Sequence, residues 1–405
     1  MSRPTILFVG INYRYINPTN PQLPAVLARV FDAHFYGPGF VAADVLERGL
    51  ERFVESIGGV DLIFVTKDFS GGTDAARLAR FTKRYAVMLN GGEVTPELSR
   101  DISAFLLKVR DRVVCLITDV DPHAVGQPVL DNFKRHGAYY VGWGAQFLNT
   151  LGEPEWVAVE EYMQKKLRAG QRLGLLDDFA RREDDRFISV GFYVSEPEFF
   201  WGPLRDRPYD VAVPGSKYAR RQAFAGALRA IEGVRIPGTA YSLACRIADR
   251  AGLRPFASFY ALSLYNLTFQ RSLSLSKSCI TDGGANNYPV RKFFEIPAAG
   301  AVLLAAPATG MADLGFTAGV HYVPVRTTDE AVRAVEDIRK HPDRYDGMAA
   351  AGRDLVLRRH SLSARAEQLA QAVSAILAGT FAGSRWTAGE FVCRSTAERR
   401  AQAIS

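Results

Sequence analysis

Long apolar runs, paired cysteines and blocks of one charge are all missing from this 405-residue sequence. Each absence removes a class of protein. The longest apolar stretch, residues 296–308, is interrupted by Pro297, Gly300 and Pro307, so no membrane-spanning helix is expected. The N-terminal run, residues 6–11, is short for the apolar part of a secretory signal. Four cysteines stand at 115, 245, 279 and 393, and no two form a CxxC pair. A zinc knuckle or thioredoxin-like site is therefore not expected, and sparse thiols suit a reducing compartment. Cys115 lies inside an apolar run and reads as a buried thiol. GxxxxGK[ST], HExxH, GxSxG and a GxGxxG following a strand are also absent, which argues against P-loop phosphoryl transfer, zinc proteolysis and α/β-hydrolase chemistry.

What remains is ordinary globular material. Hydrophobic residues make up 48% and charged residues 23%, which excludes disorder, collagen and coiled coil. The length fits two or three domains. The formal charge of +7 is spread along the chain. It suits an enzyme that handles phosphates, and equally one working near an anionic membrane or nucleic acid, without singling out any of them. The expected location is the cytoplasm, with peripheral contact at the inner membrane face allowed.

Short apolar runs at residues 5–11, 62–66, 85–89, 113–118 and 138–141 read as strands. Amphipathic stretches separate them, of which 41–57 has Val41, Val45, Leu46, Leu50 and Val54 at helical spacing. A helix over 155–168 and a strand over 188–194 follow. The turn-rich segment from Glu196 to Pro203 places a linker near residue 200. The alternation then restarts, with strands expected at 210–213, 234–236, 276–280, 301–305 and 321–325. Helices are expected at 220–231, 242–251, 258–272, 291–299, 328–340, 345–359 and 363–378. This pattern predicts an α/β fold of two doubly wound, Rossmann-like units with parallel sheets, facing a central cleft that holds the active site.

One segment carries the most chemistry. Arg291-Lys292-Phe293-Phe294-Glu295-Ile296-Pro297-Ala298-Ala299-Gly300 reads as a helix ending at a glycine and running into a buried strand. Arg291 and Glu295 share a helix face, which by spacing alone is as compatible with a surface ion pair as with a carboxylate placed to accept the two hydroxyls of a ribose. Just upstream, the loop Asp282-Gly283-Gly284 offers backbone N–H groups of the kind that hold a diphosphate.

With these residues the sequence resembles the glycosyltransferases of the GT-B fold, in particular the group-1-like family that includes the spore maturation protein CgeB. Three segments carry the resemblance. Arg291, Phe293, Glu295, Ala298 and Gly300 match an R-x-F-E-x-x-A-x-G pattern, with Phe294 extra to it. His360-Ser361-Leu362-Ser363-Ala364-Arg365 matches H-[ST]-x-x-x-R. The stretch from Tyr209 to Arg221 is similar to Y-D-V-x-F-V-G-S-x-Y-x-x-R, with Pro214 in place of a valine. The likeness covers about residues 205–370; in the first half only the α/β alternation agrees.

The resemblance implies roles. Glu295 binds the ribose of a nucleotide-sugar donor, a UDP-sugar first among them. Gly215, Ser216 and Arg221 line the diphosphate, assisted by Lys217 or Arg220, and Gly283, Gly284, Asn287 and Arg291 complete the donor site. No separate cofactor and no metal are implied. Asn287 stands where many retaining relatives carry a second glutamate, so retention of configuration does not follow. The implied limits are an acceptor-binding domain at 1–200, a nucleotide-sugar domain at 201–380, and a tail at 381–405 crossing back to the first domain with Trp386 and Phe391.

A competing motif is Asp119-Val120-Asp121 after the apolar run at 113–117, the form of the metal-binding DxD of the GT-A fold. It leaves the second α/β half without a role, so the preferred reading puts Asp119, Asp121 and His123 on a cleft loop facing the acceptor, one of them a base for an inverting transfer. A helix N-cap is the plainer reading of either aspartate. Two further alternatives stay open: a catalytically silent GT-B scaffold that binds a glycan or protein partner, and a transferase acting on modified DNA bases.

Overall fold

The computed structural model describes residues 3–12, 22–117, 125–148, 174–194, 202–215, 219–237, 269–284 and 287–399. The helices expected at 155–168 and 242–251 lie outside them.

The first sheet is built from β1 (Thr5–Val9), β2 (Asp32–Tyr36), β3 (Leu62–Val65), β4 (Val113–Leu116), β5 (Tyr139–Gly142) and β6 (Phe187–Ser189). Its order is β2-β1-β3-β4-β5-β6, and every pairing is parallel. β1, β3 and β4 are continuous apolar runs because helices cover both of their faces. Leu7, Val9, Ile63, Val65 and Cys115 point to one side, into a core that continues towards the second half. Ile6, Phe8, Leu62, Phe64, Val114 and Leu116 point to the other. There they meet Val26 and Leu27 of the helix Gln22–Val30 together with Leu369, Val373 and Ile376 of the helix Leu362–Leu377. Part of the first half's core is thus supplied from the far end of the chain.

The second sheet comprises β7 (Tyr209–Ala212), β8 (Ser276–Thr281), β9 (Val302–Ala305) and β10 (Val323–Pro324), in the order β10-β9-β8-β7 and all parallel. Val211, Ile280, Val302 and Leu304 pack on Phe224, Leu228, Val335 and Ile338 from the helices Ala219–Arg229 and Thr328–Lys340. The latter helix starts with a capping box between Thr327 and Glu330. On the opposite face, Phe293, Phe294 and Ile296 join the core that runs into the first half through Trp143, Phe147 and Tyr288. Tyr288 and Trp143 meet across the halves, ring centroids 5.5 Å apart. The α/β, GT-B-like plan of two parallel sheets is the one expected.

Several elements differ from the sequence reading. Residues 86–89 form a 3-10 turn rather than a strand, because the helix Ala75–Arg84 ends immediately before them. The expected helix 41–57 is two, Ala43–Glu47 and Leu50–Ser56, broken at Gly49, whose φ of 87° a helix does not accept. Residues 234–236 run beside β7 and make one backbone bond, Asp210 N–H to the Arg235 carbonyl at 2.8 Å, without becoming a strand. β6 stops at Ser189, and the extended chain beyond it meets the returning chain at Val194 and Ser361.

After residue 380 the chain forms an antiparallel hairpin, β11 (Phe381–Thr387) and β12 (Glu390–Ser395). It lies on the first half: Ser189 N–H donates to Ser384 Oγ at 2.8 Å, and Trp386 Nε1–H donates to the Ser189 carbonyl at 2.8 Å. It also touches the second half, where Gly389 N–H donates to the Asp313 carbonyl at 2.8 Å and Glu390 pairs with Arg359.

Candidate active site

β7 and β8 are neighbours, and the carboxyl ends of adjacent parallel strands are where ligands settle in open α/β sheets. The chain leaves β7 through Pro214 and Gly215, and the next described element is the helix Ala219–Arg229. It leaves β8 through Asp282, Gly283 and Gly284. The helix Lys292–Ala298 closes the group from below and passes through Gly300 into β9.

Arg221 joins the two strand ends. It is 3% exposed and donates from Nη2 to Asp282 Oδ1 at 2.7 Å and to the Asp282 carbonyl at 3.3 Å. A solvated helix start, the plain reading of this arginine, is therefore not what forms. Asp282 Oδ1 also accepts from Gly284 N–H at 3.2 Å, while its Oδ2 is buried with no hydrogen bond. Glu295 is buried, and Arg291 Nε holds its Oε1 at 2.6 Å. The pair predicted from i,i+4 spacing exists, but inside the protein rather than on its surface.

Asn287 sits between these groups with a left-handed φ of 47°, a conformation asparagine tolerates. Its side-chain oxygen and nitrogen are both buried without a partner. An orphaned buried amide costs about 1–3 kcal/mol, which a ligand that bonds it recovers. Gly283 lets the loop fold back on this residue, since a Cβ there falls 2.7 Å from the Asn287 Cα.

Gly215 is left-handed too, with a φ of 96°. A Cβ on it falls 2.1 Å from Lys292 Cε, 2.6 Å from Lys292 Nζ and 3.4 Å from Arg221 Nη1. Two cations thus flank this glycine. Burial, and next the charge of Arg221, push the Lys292 ammonium down to about 8. Lys292 is absent from the sequence-derived site because it reads as a spacer within the Arg291–Glu295 motif. The available signal was its position three residues before Glu295, on the same helix face.

Of the other expected site residues, Arg220 donates to the Arg326 carbonyl at 2.8 Å and lies over the Phe224 ring. Ser216, Lys217, Asp119, Asp121 and His123 lie outside the described residues. Among the described residues no group of histidines, cysteines and acids is arranged to hold a metal ion, and no helix is long and apolar enough to cross a membrane.

The His360–Arg365 motif is not in this group. It lies where the chain crosses back to the first half. His360 is fully buried, donates from Nε2–H to the Leu314 carbonyl 2.9 Å away, and packs between Phe294, Phe316 and Trp386. Arg365 donates to Gln368 Oε1 at 2.5 Å and to the Phe192 carbonyl at 2.9 Å, over the Trp386 ring. Burial pushes His360 down to about 3 and Arg365 to about 9.

Residues 203–371, which contain the group around Arg221, Asp282, Lys292 and Glu295, match a family described as glycosyl transferase-like. No curated protein matches the chain. Among solved structures, the sucrose-phosphate synthase of Thermosynechococcus elongatus is 13% identical, with 93% of this chain and 100% of that chain covered and a TM-score of 0.50. HepE of Anabaena, crystallised with UDP and glucose, is 12% identical over 92% and 100% of the two chains, with a TM-score of 0.45. A glycosyltransferase from Rickettsia africae is 13% identical over 93% and 99%, with a TM-score of 0.47. At 13% identity and a TM-score of 0.50, the likeness to the sucrose-phosphate synthase speaks for the fold alone, which is GT-B. The matched domain is glycosyl transferase-like and the fold is GT-B, as the sequence reading expected.

Proposed function

We propose that this chain moves a sugar from a nucleoside diphosphate donor, a UDP-sugar first among them, to an acceptor hydroxyl in the cleft between its two halves. The observation that carries this is the Arg221–Asp282 bond, which brings the segment around residues 215–221 onto the segment around 282–295 inside the matched domain. Glu295, oriented by Arg291, takes the ribose hydroxyls. Gly215, Gly283, Gly284 and Arg221 face the diphosphate, and the orphaned amide of Asn287 bonds a donor hydroxyl. As the acceptor oxygen attacks the anomeric carbon, the glycosidic bond breaks and its electron pair leaves on the diphosphate. Charge grows there, so a fixed guanidinium stabilises the transition state more than the bound donor.

In this reading the domain at residues 201–380 holds the donor and the domain at 1–200 the acceptor. The acceptor's proton passes to Asp119, Asp121 or His123, and no divalent metal takes part. The three segments shared with the CgeB group favour that branch of the family. Free, buried thiols at Cys115 and Cys279 suit a cytoplasmic protein.

The test is transfer or slow hydrolysis of UDP-sugars, followed with and without EDTA. The expected result is turnover that survives EDTA and a Glu295→Ala protein that folds but binds UDP at least about a hundredfold more weakly, as two charge-assisted hydrogen bonds require. UDP bound without any turnover would leave a silent scaffold. Turnover lost in EDTA and restored by Mn²⁺ would favour a metal-held donor.

A further inference from the structure

Lys292 stands in an unusual setting for a lysine. Its stem packs along the surface left open by Gly215, close enough that no other residue fits at 215 without displacing it. Its ammonium lies beside a second cation, Arg221, whose carboxylate partner is already Asp282. Among the described residues Lys292 makes no hydrogen bond and no ion pair of its own. The nearer carboxylate on its helix, that of Glu295, is held by Arg291 at 2.6 Å. Two neighbouring cations, one without a bonded counter-charge, repel each other unless an anion sits between them.

We infer that Lys292 is a further donor-binding residue: its ammonium and the Arg221 guanidinium together grip the diphosphate over Gly215. This rests on the nucleotide-diphosphate reading of the site and adds to it a residue that falls at an unspecified position of the R-x-F-E pattern, to which the family resemblance gives no role. Lysine is suited to the role as a compact point charge, whereas the planar fork of Arg221 is committed in part to Asp282.

The inference has a proton signature. The groups that act on Lys292 are Arg221 and Arg291, which favour loss of its proton, and Glu295 and Asp282, which favour keeping it. With burial the balance leaves the free protein's ammonium at about 8, so it is part neutral in mildly alkaline solution. A bound diphosphate favours the charged form. Binding therefore draws a proton onto Lys292, and affinity falls as pH rises through and above that value. The nucleotide's own phosphate has lost its last proton at about pH 6, well below the window.

The experiment is calorimetric titration of UDP and of uridine into the wild-type and the Lys292→Met protein at pH 7 and pH 9, in buffers of different ionisation enthalpy. Lys292→Met keeps the stem over Gly215, and Lys292→Gln serves if it does not fold. UDP is expected to bind Lys292→Met about tenfold or more weakly at pH 7, since a hydrogen bond to a charged group is worth at least that. Uridine should bind both proteins alike. Wild-type protein should take up a proton on binding UDP at pH 9 and the variant none. Equal UDP affinity in the two proteins, with binding still lost in Glu295→Ala, overturns the role of Lys292 and leaves the donor site standing. Failure of UDP, ADP and GDP to bind the wild type overturns both.

Discussion

Arg365 and Lys292 are both cations drawn out of bulk water, and both belong to segments that match the same family, yet their surroundings differ in kind. The Arg365 guanidinium donates from Nη1 to the Gln368 side chain and from Nη2 to the Phe192 carbonyl, and lies over the Trp386 ring. Lys292 has another cation for a neighbour and no bonded carboxylate among the described residues. The first arrangement engages both terminal nitrogens with groups of the protein, leaving only Nε without a partner among the described residues, and holds the chain where it crosses between the halves. The second is completed by something the protein does not itself supply. Motif membership does not separate a structural residue from a ligand-binding one; the matching of its polar atoms does.

Three changes break or sharpen this contrast. The largest effect is expected from Trp386→Ala, which empties the ring under Arg365 and frees the Ser189 carbonyl. A loss of about 5 kcal/mol in urea unfolding is expected, with UDP affinity of the folded protein unchanged. A loss of UDP affinity instead would mean that the crossing and the donor site are one unit.

Next, Arg221→Ala leaves the Asp282 carboxylate, 1% exposed, buried without its partner. About 3 kcal/mol of stability should go, and the Arg221→Ala, Asp282→Ala double variant should recover part of it. Additive losses would show that the two side chains are not coupled.

The smallest effect concerns His360. Its ordinary value is 6.5, and burial followed by the Arg365 charge pushes it down to about 3 in the folded protein. The unfolded chain therefore takes a proton that the folded one refuses. This contribution is intact above pH 6.5 and is lost as pH falls from there towards 3, by up to about 1.4 kcal/mol per pH unit. Against His360→Gln, wild-type protein should lose about 2 kcal/mol more between pH 6.5 and pH 5. Parallel pH curves for the two proteins would show that His360 is protonated in the fold.

Much of this was legible beforehand, for stated reasons. β1, β3, β4 and β9 are unbroken apolar runs, and the helix ahead of β9 announces its end with Gly300. The glycine loop at residues 282–284 showed its chemistry in its own residues, whereas the roles of Glu295 and Gly215 came from the family resemblance. Residues 85–89 misled because a wholly apolar run has no period, so a strand and a buried turn look alike. The partnership of Arg221 with Asp282 spans 61 positions, and the placing of Lys292 against Gly215 is likewise set by the stacking of two strand ends. The hairpin after residue 380 was expected only as a segment that returns, since its strands pair with each other and its side chains with β6. His360 and Arg365, read as part of the family pattern, took on their structural meaning only when their neighbours were in view.

The helix Leu362–Leu377 fixes an order of events during synthesis. Ile6, Phe8, Phe64 and Val114 form an apolar face on the first sheet whose cover includes Leu369, Val373 and Ile376. A ribosome making roughly 5–20 residues per second emits β6 and then needs roughly another 10–35 s to reach that helix. Throughout the interval the first half is complete in sequence and incomplete in core. The nascent chain thus carries an uncovered hydrophobic face until nearly the whole second half has been made. Either a chaperone shields that face or the first half waits, loosely collapsed, for its last helix.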